Sequence, residues 1–216
     1  MYKPTTLRII WCGRFIPLKR MQDSLRAISM LKKAGYDFIF DIIGSGPQRE
    51  DYENYIRKNK LGDRVHLLGS MKADDVREEM KKADVLLFNS NYSEGWGAVI
   101  NEAMNSGCVP VVSHAVGSAN MLIQNGVNGY IYNMGHYKDL YRTLKYAIDK
   151  QTIQSCRKNA YDSIVGCWNG EEAGKRLVNL INAKLNRSEE VLYESGPCSL
   201  ADVIKNNWFK EKVWKE

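Results

Sequence analysis

The sequence predicts an α/β protein in which a parallel sheet is covered by helices on both faces. Short apolar runs rich in β-branched residues alternate with amphipathic stretches over the first two-thirds of the 216 residues. That alternation is typical of parallel strands joined by crossover helices. Most apolar runs end in glycine, proline or serine, which turn the chain towards the next helix. Since 44% of the residues are hydrophobic, we expect one sizeable domain.

The pattern also assigns the individual elements. The predicted strands cover residues 7–12, 38–44, 64–68, 85–89, 109–113 and 129–132. The first five helices are predicted to begin near Arg20, Gln48, Lys72, Trp96 and Tyr137. Further along, we predict helices over 155–165 and 171–186, a loop at 195–197 and a last helix from about Leu200. We therefore divide the chain into a domain at 1–165 and a carboxyl-terminal helical extension at 166–216, packed on the same domain.

Composition excludes several classes of protein. The net charge of +6 suits an anionic ligand such as a nucleoside diphosphate. The basic residues are dispersed along predicted helices, so no nucleic acid partner is expected. No apolar run is long enough to indicate a membrane span, and the first residues lack the pattern of a secretory leader. We therefore predict a cytoplasmic protein. Peripheral association with the inner face of the membrane is an alternative. Five cysteines without metal-ligand spacing predict reduced thiols and no metal.

The strongest local signal is the segment SNYSEGWGAVINEAM at residues 90–104. A strand ends there, two glycines open a turn, and a helix follows between Glu94 and Glu102. Backbone N–H groups at Gly95, Trp96 and Gly97 would favour a phosphate or a sugar. Both carboxylates can accept hydrogen bonds from pairs of hydroxyl groups. Taken alone, these residues would also fit an ordinary helix start with a favourable acidic residue.

A second constellation follows the first strand and reads GRFIPLK over residues 13–19. It places Arg14 and Lys19 on one loop at the edge of the sheet where ligands of open α/β proteins bind. A planar guanidinium and a point-charge ammonium together suit a departing diphosphate. The alternative is a pair of ordinary loop cations.

These motifs resemble the group 1 (family 4) retaining glycosyltransferases. The pattern EGxGxxxxEAM and the GR-x4-K element match their carboxyl-terminal nucleotide-sugar-binding domain, which is the Rossmann-like half of the GT-B fold. IGSGP at 43–47, VHLLG at 65–69, ADVLL at 83–87, GCVPVVS at 107–113 and NGVNGY at 125–130 follow in the family's order. The resemblance covers roughly the first 150 residues.

The resemblance implies a role for each matching position. Glu94, Arg14 and Lys19 would be catalytic, with Glu94 contacting the donor sugar and both cations contacting the diphosphate. Glu102 would hold the ribose, and the base would lie on backbone groups near Leu68. The remaining donor-binding positions would be Gly13, Gly44, Gly46, Gly95, Trp96 and Gly97. No cofactor or metal is implied, since the helix terminus and the cations stabilise the leaving diphosphate.

Two positions depart from the family pattern. Arg20 stands after Lys19 where glycine is more usual, which leaves open which of these two cations reaches the phosphate. Met121 replaces an acidic residue in a segment where relatives often have GGxxE, and Ser118 replaces its second glycine.

We therefore predict a hexosyltransferase-type enzyme that binds a UDP- or GDP-sugar and contributes the donor site for retaining transfer to an acceptor hydroxyl. The acceptor would bind a preceding Rossmann-like domain that is absent from this chain, supplied in cis or in trans, so the chain alone would transfer poorly. One alternative is a non-catalytic nucleotide-binding or assembly half that needs a partner chain. Another is a related epimerase or phosphorylase.

The sequence also contains three histidines and a tail rich in aromatic residues. His66 is interpreted as a strand residue, and His114 and His136 as incidental, because neither has a partner at motif spacing. The tail over residues 206–215 mixes aromatic and basic residues. It fits either a membrane interface or packing against the protein, and packing is favoured because its aromatics share no single helical face.

Overall fold

Six parallel strands form a single sheet. The computed structural model describes residues 6–186, 192–201 and 203–214. The strands are β1 (Leu7–Cys12), β2 (Phe38–Ile43), β3 (Val65–Gly69), β4 (Val85–Phe88), β5 (Val109–Ser113) and β6 (Tyr130–Tyr132). Their order is β3-β2-β1-β4-β5-β6, and every neighbouring pair is parallel. The strand order reverses between β1 and β4, which opens a crevice at the carboxyl ends of these two strands.

Helices connect the strands and continue beyond the sheet. They are α1 (Met21–Lys33), α2 (Arg49–Lys58), α3 (Ala73–Lys82), α4 (Val99–Asn105), α5 (Ala119–Leu122), α6 (Tyr137–Asp149), α7 (Ile153–Gly166) and α8 (Gly170–Leu185). A 3₁₀ turn over Pro17–Lys19 precedes α1. All predicted strands are present within one or two residues. α4 begins three residues later than predicted, and α5 was not predicted.

Two hydrophobic layers lie on opposite faces of the sheet. One contains Trp11 and Phe40 with side chains from α1, α2 and α6. The other contains Ile10 and Leu86 with side chains from α3, α4, α5 and α7. Neighbouring residues of β1 belong to different layers because successive strand side chains point to opposite faces. This arrangement confirms the predicted α/β fold with helices on both faces.

The helix α8 is the helical part of the predicted extension. Asn169 caps it, since its side-chain oxygen accepts a hydrogen bond from the backbone N–H of Glu172 at 2.9 Å. This cap satisfies one of the unpaired donors of the first turn. The division of the chain at residue 165 stays a prediction.

The predicted last helix is wrong. The described residues from Leu200 onwards form turns and irregular chain. Trp208 donates its indole N–H to the carbonyl oxygen of His114 at 3.1 Å, and Trp214 donates to the hydroxyl of Thr143 at 3.1 Å. These two anchors lie on different parts of the domain, so the chain between them runs from the loop after β5 to α6. Phe209 and Trp214 are buried, so both aromatic side chains pack against the protein.

Within the ranges given above, no helix has the length and apolar character that a membrane crossing requires.

Candidate functional site

The loops that follow β1 and β2 pack against each other at the carboxyl edge of the sheet. The N–H of Gly13 donates to the carbonyl of Ile43 at 3.0 Å, and the N–H of Phe15 donates to the carbonyl of Ser45 at 2.8 Å. These bonds continue the pairing of the two strands into their loops. They place the GRFIPLK segment beside the glycine turn at Gly44.

Gly44 is at a position that only glycine fits. Its φ is 138°, and an added Cβ would collide with the carbonyl oxygen of Gly13. Its N–H donates to the carbonyl of Gly69 at 2.8 Å, so the turn also joins the end of β3. Gly46 approaches the backbone of Phe15 in the same way. The predicted glycine positions after β1 and β2 therefore form one compact rim.

Lys19 and Glu94 form an ion pair across this rim. The ammonium nitrogen lies 2.5 Å from Oε2 of Glu94, and the two side chains are only 17% and 15% exposed. Ser90 donates its hydroxyl to the same carboxylate oxygen at 2.7 Å. The ammonium also lies 4.8 Å from the ring centroid of Phe88. A carboxylate that accepts from two donors is held in one orientation.

Glu102 lies on the exposed side of α4. The negative charge of Glu102 and the positive charge of Lys19 both act on the thiol of Cys12 at the end of β1. Burial, and then the charge of Glu102, raise the pKa of the Cys12 thiol to about 11, while Lys19 lowers it. Lys19, which is bonded to Glu94, and Glu102 are therefore both within electrostatic range of the end of β1.

Arg14 is an exposed residue on the same loop as Lys19. Among the described residues, no carboxylate pairs with it. An unpaired guanidinium at this edge is available to a ligand, whereas Lys19 would have to exchange its bond to Glu94 for a new one.

The turn before α4 offers backbone donors. The carbonyls of Gly95 and Trp96 accept hydrogen bonds from Gly117 at 3.0 Å and Ser118 at 3.2 Å, in the loop after β5. In the described part of the chain, no acceptor pairs with the N–H groups of Gly95, Trp96 or Gly97. Gly97 has a φ of 79°, and an added Cβ would come within 2.9 Å of Val116. These donors precede α4, which begins at Val99 rather than at Trp96.

Arg20 has a conformation that explains the family's preference for glycine. Its φ is 47°, in the left-handed region, which costs an L-residue about 1 kcal/mol. Its guanidinium bonds to the buried carboxylate of Asp23 at 2.9 Å. Arg20 thus turns towards α1, and Lys19 is the cation that faces Glu94.

The other predicted positions lie at the same edge or nearby. Leu68, 38% exposed, stands at the end of β3 next to Gly69. Trp96 is 39% exposed, and its indole N–H donates to Asn101 at 2.8 Å. Met121 lies in α5, which follows the loop after β5. The sequence did not indicate Ser90 or Phe88 as site residues. The hydrogen bond from Ser90 to Glu94 and the cation–π contact of Lys19 with Phe88 are not visible in motif spacing.

The three histidines have separate surroundings. His66 is in β3 as predicted, and its Nδ1 lies 2.9 Å from the carboxylate of Asp41 in β2. His136 immediately precedes α6. His114 is buried and hydrogen-bonded to three different segments, which the sequence did not indicate. Over the described ranges, no three His, Cys, Asp or Glu side chains are grouped as metal ligands.

Comparison with known proteins gives the family of this fold and site. The family model described as glycosyl transferases group 1 matches residues 3–163. The chain belongs to the group 1 glycosyl transferases. This match covers every predicted site residue and ends within α7.

Several curated relatives show how far the similarity extends. The 2-deoxystreptamine glucosyltransferase of Streptomyces kanamyceticus is 32% identical over 137 residues, which are 63% of this chain and 35% of that protein. The GPI3 subunit of phosphatidylinositol N-acetylglucosaminyltransferase from Saccharomyces cerevisiae is 25% identical over 80% of this chain and 38% of its own length. The chain therefore spans about a third of the length of the curated relatives it matches.

Solved structures share the same fold. The C-terminal domain of a group 1 glycosyl transferase from Francisella tularensis superposes with a TM-score of 0.67 at 21% identity, over 74% of this chain and 85% of that one. Sucrose-phosphate synthase from Thermosynechococcus elongatus gives a TM-score of 0.71 at 21% identity, over 85% of this chain and 46% of the other. This group 1 member thus has the Rossmann-like fold of other glycosyl transferases.

Proposed function

We propose that this group 1 chain binds a nucleotide-diphospho-sugar and supplies the donor site for retaining transfer of a hexose to an acceptor hydroxyl. One observation carries the proposal. The ion pair between Lys19 and Glu94 joins the loop that carries Arg14 to the turn at Gly95–Gly97, whose N–H groups have no acceptor in the described part of the chain. A pyrophosphate-linked sugar needs cations at one end and a carboxylate at the other, and this rim presents both.

The cations and the backbone donors serve the leaving group. As the bond between the anomeric carbon and the phosphate oxygen breaks, negative charge builds up on the diphosphate. Lys19, Arg14 and the N–H groups before α4 stabilise that charge, which lowers the barrier because they act more strongly on the transition state than on the bound donor. We propose that these groups suffice without a metal ion.

The carboxylates orient the donor. Glu94 accepts hydrogen bonds from sugar hydroxyls and fixes the ring so that the acceptor hydroxyl attacks from the face that the diphosphate leaves. Glu102 accepts from the ribose hydroxyls, and the base rests near Leu68. Holding the reactants in this geometry is worth several kcal/mol of the barrier. The anomeric configuration is retained because attack and departure share one face.

The names of the relatives support a hexose donor and favour uridine. They include a glucosyltransferase and an α-D-kanosaminyltransferase from Streptomyces kanamyceticus. Another relative, from Streptococcus agalactiae and 27% identical over 57% of this chain, is named as a UDP-N-acetylglucosamine–peptide transferase subunit. We therefore place UDP-hexoses first among the donors. The acceptor site on a second Rossmann-like domain, and peripheral membrane association, remain predictions.

Calorimetric titration with UDP-, GDP- and ADP-sugars tests the proposal. We expect a UDP-sugar to bind more tightly than UDP, and Glu94→Ala to abolish that difference. If no nucleotide sugar binds, the proposed function is wrong. The family match does not favour the non-catalytic alternative. Adding a partner chain with the acceptor domain would distinguish the transferase from the non-catalytic alternative. Only a transferase would then form a glycosylated product, and Arg14→Ala would abolish its formation.

A further inference from the structure

A hydrogen-bond network joins the carboxyl-terminal segment to the loop that carries Glu94. The hydroxyl of Tyr92 donates to the backbone carbonyl of Asn206 at 2.7 Å, although 114 residues separate them. Nε2 of His114 lies 2.9 Å from the same carbonyl and 2.9 Å from the Tyr92 hydroxyl. We call residues 203–214 the carboxyl-terminal strap. Three segments from distant parts of the chain therefore meet at one carbonyl oxygen.

The surroundings of His114 define its tautomer. Its Nδ1 accepts a hydrogen bond from the backbone N–H of Met134 at 3.0 Å, so this nitrogen carries no proton. The proton of the neutral ring is then on Nε2, which makes Nε2 a donor to the carbonyl of Asn206. That carbonyl has two lone pairs and accepts from both His114 and Tyr92. The network is fully satisfied, which favours a single arrangement.

Aromatic contacts hold the strap in place. The ring of Phe209 stacks on His114 with the centroids 6.2 Å apart and the planes 25° apart. Trp208 donates its indole N–H to the carbonyl of His114 at 3.1 Å. Phe209 is 7% exposed and belongs to the hydrophobic layer below. The carbonyl of Asn206 is thus presented from a fixed part of the molecule.

The loop of Glu94 has anchors on both sides of this residue. Before it, the N–H of Asn91 donates to the carbonyl of Leu18 at 2.9 Å, and the carbonyl of Asn91 accepts from the N–H of Glu94 at 3.0 Å. After it, Gly117 bonds to the carbonyl of Gly95. Tyr92 is 44% exposed and lies within this turn. Its hydroxyl links the turn to the strap through the hydrogen bond to the carbonyl of Asn206.

We propose that Tyr92 is a positioning residue for Glu94, and that the carboxyl-terminal strap is part of the donor site. The inference rests on the proposed function, because it assigns to the strap the task of orienting the carboxylate that receives the sugar. Tyr92 does not contact the ligand in this scheme. It acts through the turn, by keeping the Glu94 carboxylate within hydrogen-bond distance of Lys19 and Ser90.

The variant Tyr92→Phe tests the positioning role, because it removes one hydroxyl and keeps the ring. The readout is the ratio of the dissociation constant of UDP to that of the best UDP-sugar, measured by calorimetry. We expect this ratio to fall about threefold to tenfold, as one lost hydrogen bond allows, while the affinity for UDP itself is unchanged. Trp208→Phe, which removes one bond between the strap and His114, should lower the ratio in the same direction.

Tyr36→Phe is the matched control. Tyr36 also has a hydroxyl bonded to a distant residue, Asp149 at 2.6 Å, but it precedes β2 at the opposite edge of the sheet. Its ratio should equal that of the unmodified chain. If the unmodified chain shows no preference for a UDP-sugar over UDP, the proposed function fails. Suppose instead that the unmodified chain prefers the UDP-sugar. The positioning role is then overturned if Tyr92→Phe keeps the full ratio, or if it loses affinity for UDP and for the UDP-sugar equally.

Discussion

Lys19 and Glu94 are 75 residues apart in the chain, and their side-chain nitrogen and oxygen atoms lie 2.5 Å apart. Under the proposed function, the lysine contacts the diphosphate and the glutamate contacts the sugar. A bound donor would therefore exchange part of this ion pair for contacts with its own phosphate and hydroxyl groups. The two residues are coupled for this reason, and a change at one should alter what the other binds.

Glu94→Gln should separate nucleotide binding from sugar binding. The neutral amide releases Lys19 from its ion pair, so the affinity for UDP should stay the same or rise. The additional affinity for a UDP-sugar should disappear, because the amide is a weaker acceptor for hydroxyl groups than a carboxylate. Calorimetry with UDP and the UDP-sugar measures both effects. An equal loss for the two ligands would argue against the assignment of Glu94 to the sugar.

Lys19→Met should weaken the binding of UDP itself. A hydrogen bond to a charged group contributes about 1.5–3 kcal/mol, so we expect a loss of about 10-fold to 100-fold. The matched control is Lys81→Met, because Lys81 forms an exposed ion pair with Glu78 on α3. That variant should bind UDP as tightly as the unmodified chain. Equal affinities for all three proteins would remove Lys19 from the site.

Arg20→Gly tests whether Arg20 contributes to binding of the diphosphate. Glycine relieves the left-handed strain of about 1 kcal/mol, but it leaves the buried carboxylate of Asp23 without its partner. Since Arg20 is a third exposed, we put that loss below the roughly 3–5 kcal/mol of a fully buried pair and expect a net destabilisation of about 1–2 kcal/mol. Urea unfolding measures this difference. Adding Asp23→Asn should recover part of the stability, and the affinity for UDP should not change.

Gly44→Ala should destabilise the rim. An added Cβ combines backbone strain with overlap on the carbonyl of Gly13, which together cost about 2–4 kcal/mol. Gly62→Ala is the control, because a Cβ added at Gly62 meets nothing within 4 Å. We expect that control to stay within about 0.5 kcal/mol of the unmodified chain in thermal unfolding. Similar losses for both variants would contradict the close approach of the two loops.

Cys12 should resist alkylation at neutral pH. Its thiol has a pKa raised from 9.0 to about 11 by burial and by Glu102, and the thiolate is the nucleophile. At pH 8 about one thiol in a thousand is ionised, so labelling by iodoacetamide should be slow and should accelerate as the pH approaches 11. The exposed Cys198 serves as the internal reference for mass spectrometry. Labelling of Cys12 as fast as that of Cys198 at pH 8 would be inconsistent with this environment.

The sequence by itself determined the sheet, the helices on both faces and the edge at which the motifs lie. Strand periodicity and turn residues act locally, so patterns within one segment are sufficient to predict them. The spacing of Glu94 and Glu102 and the glycines around them likewise depend on a single turn and helix. For the same reason the glycine turn at Gly44 was predictable, although its collision with Gly13 was not.

Only the tertiary structure decided which side chains meet. The pairing of Lys19 with Glu94 and the network of Tyr92, His114 and Asn206 join segments that no local pattern relates. The strap was predicted as a helix because its own residues suggested one. It forms turns and irregular chain because Trp208 and Trp214 bind at separate places on the domain, and burying both aromatics outweighs the weak preference of a short segment for a helix.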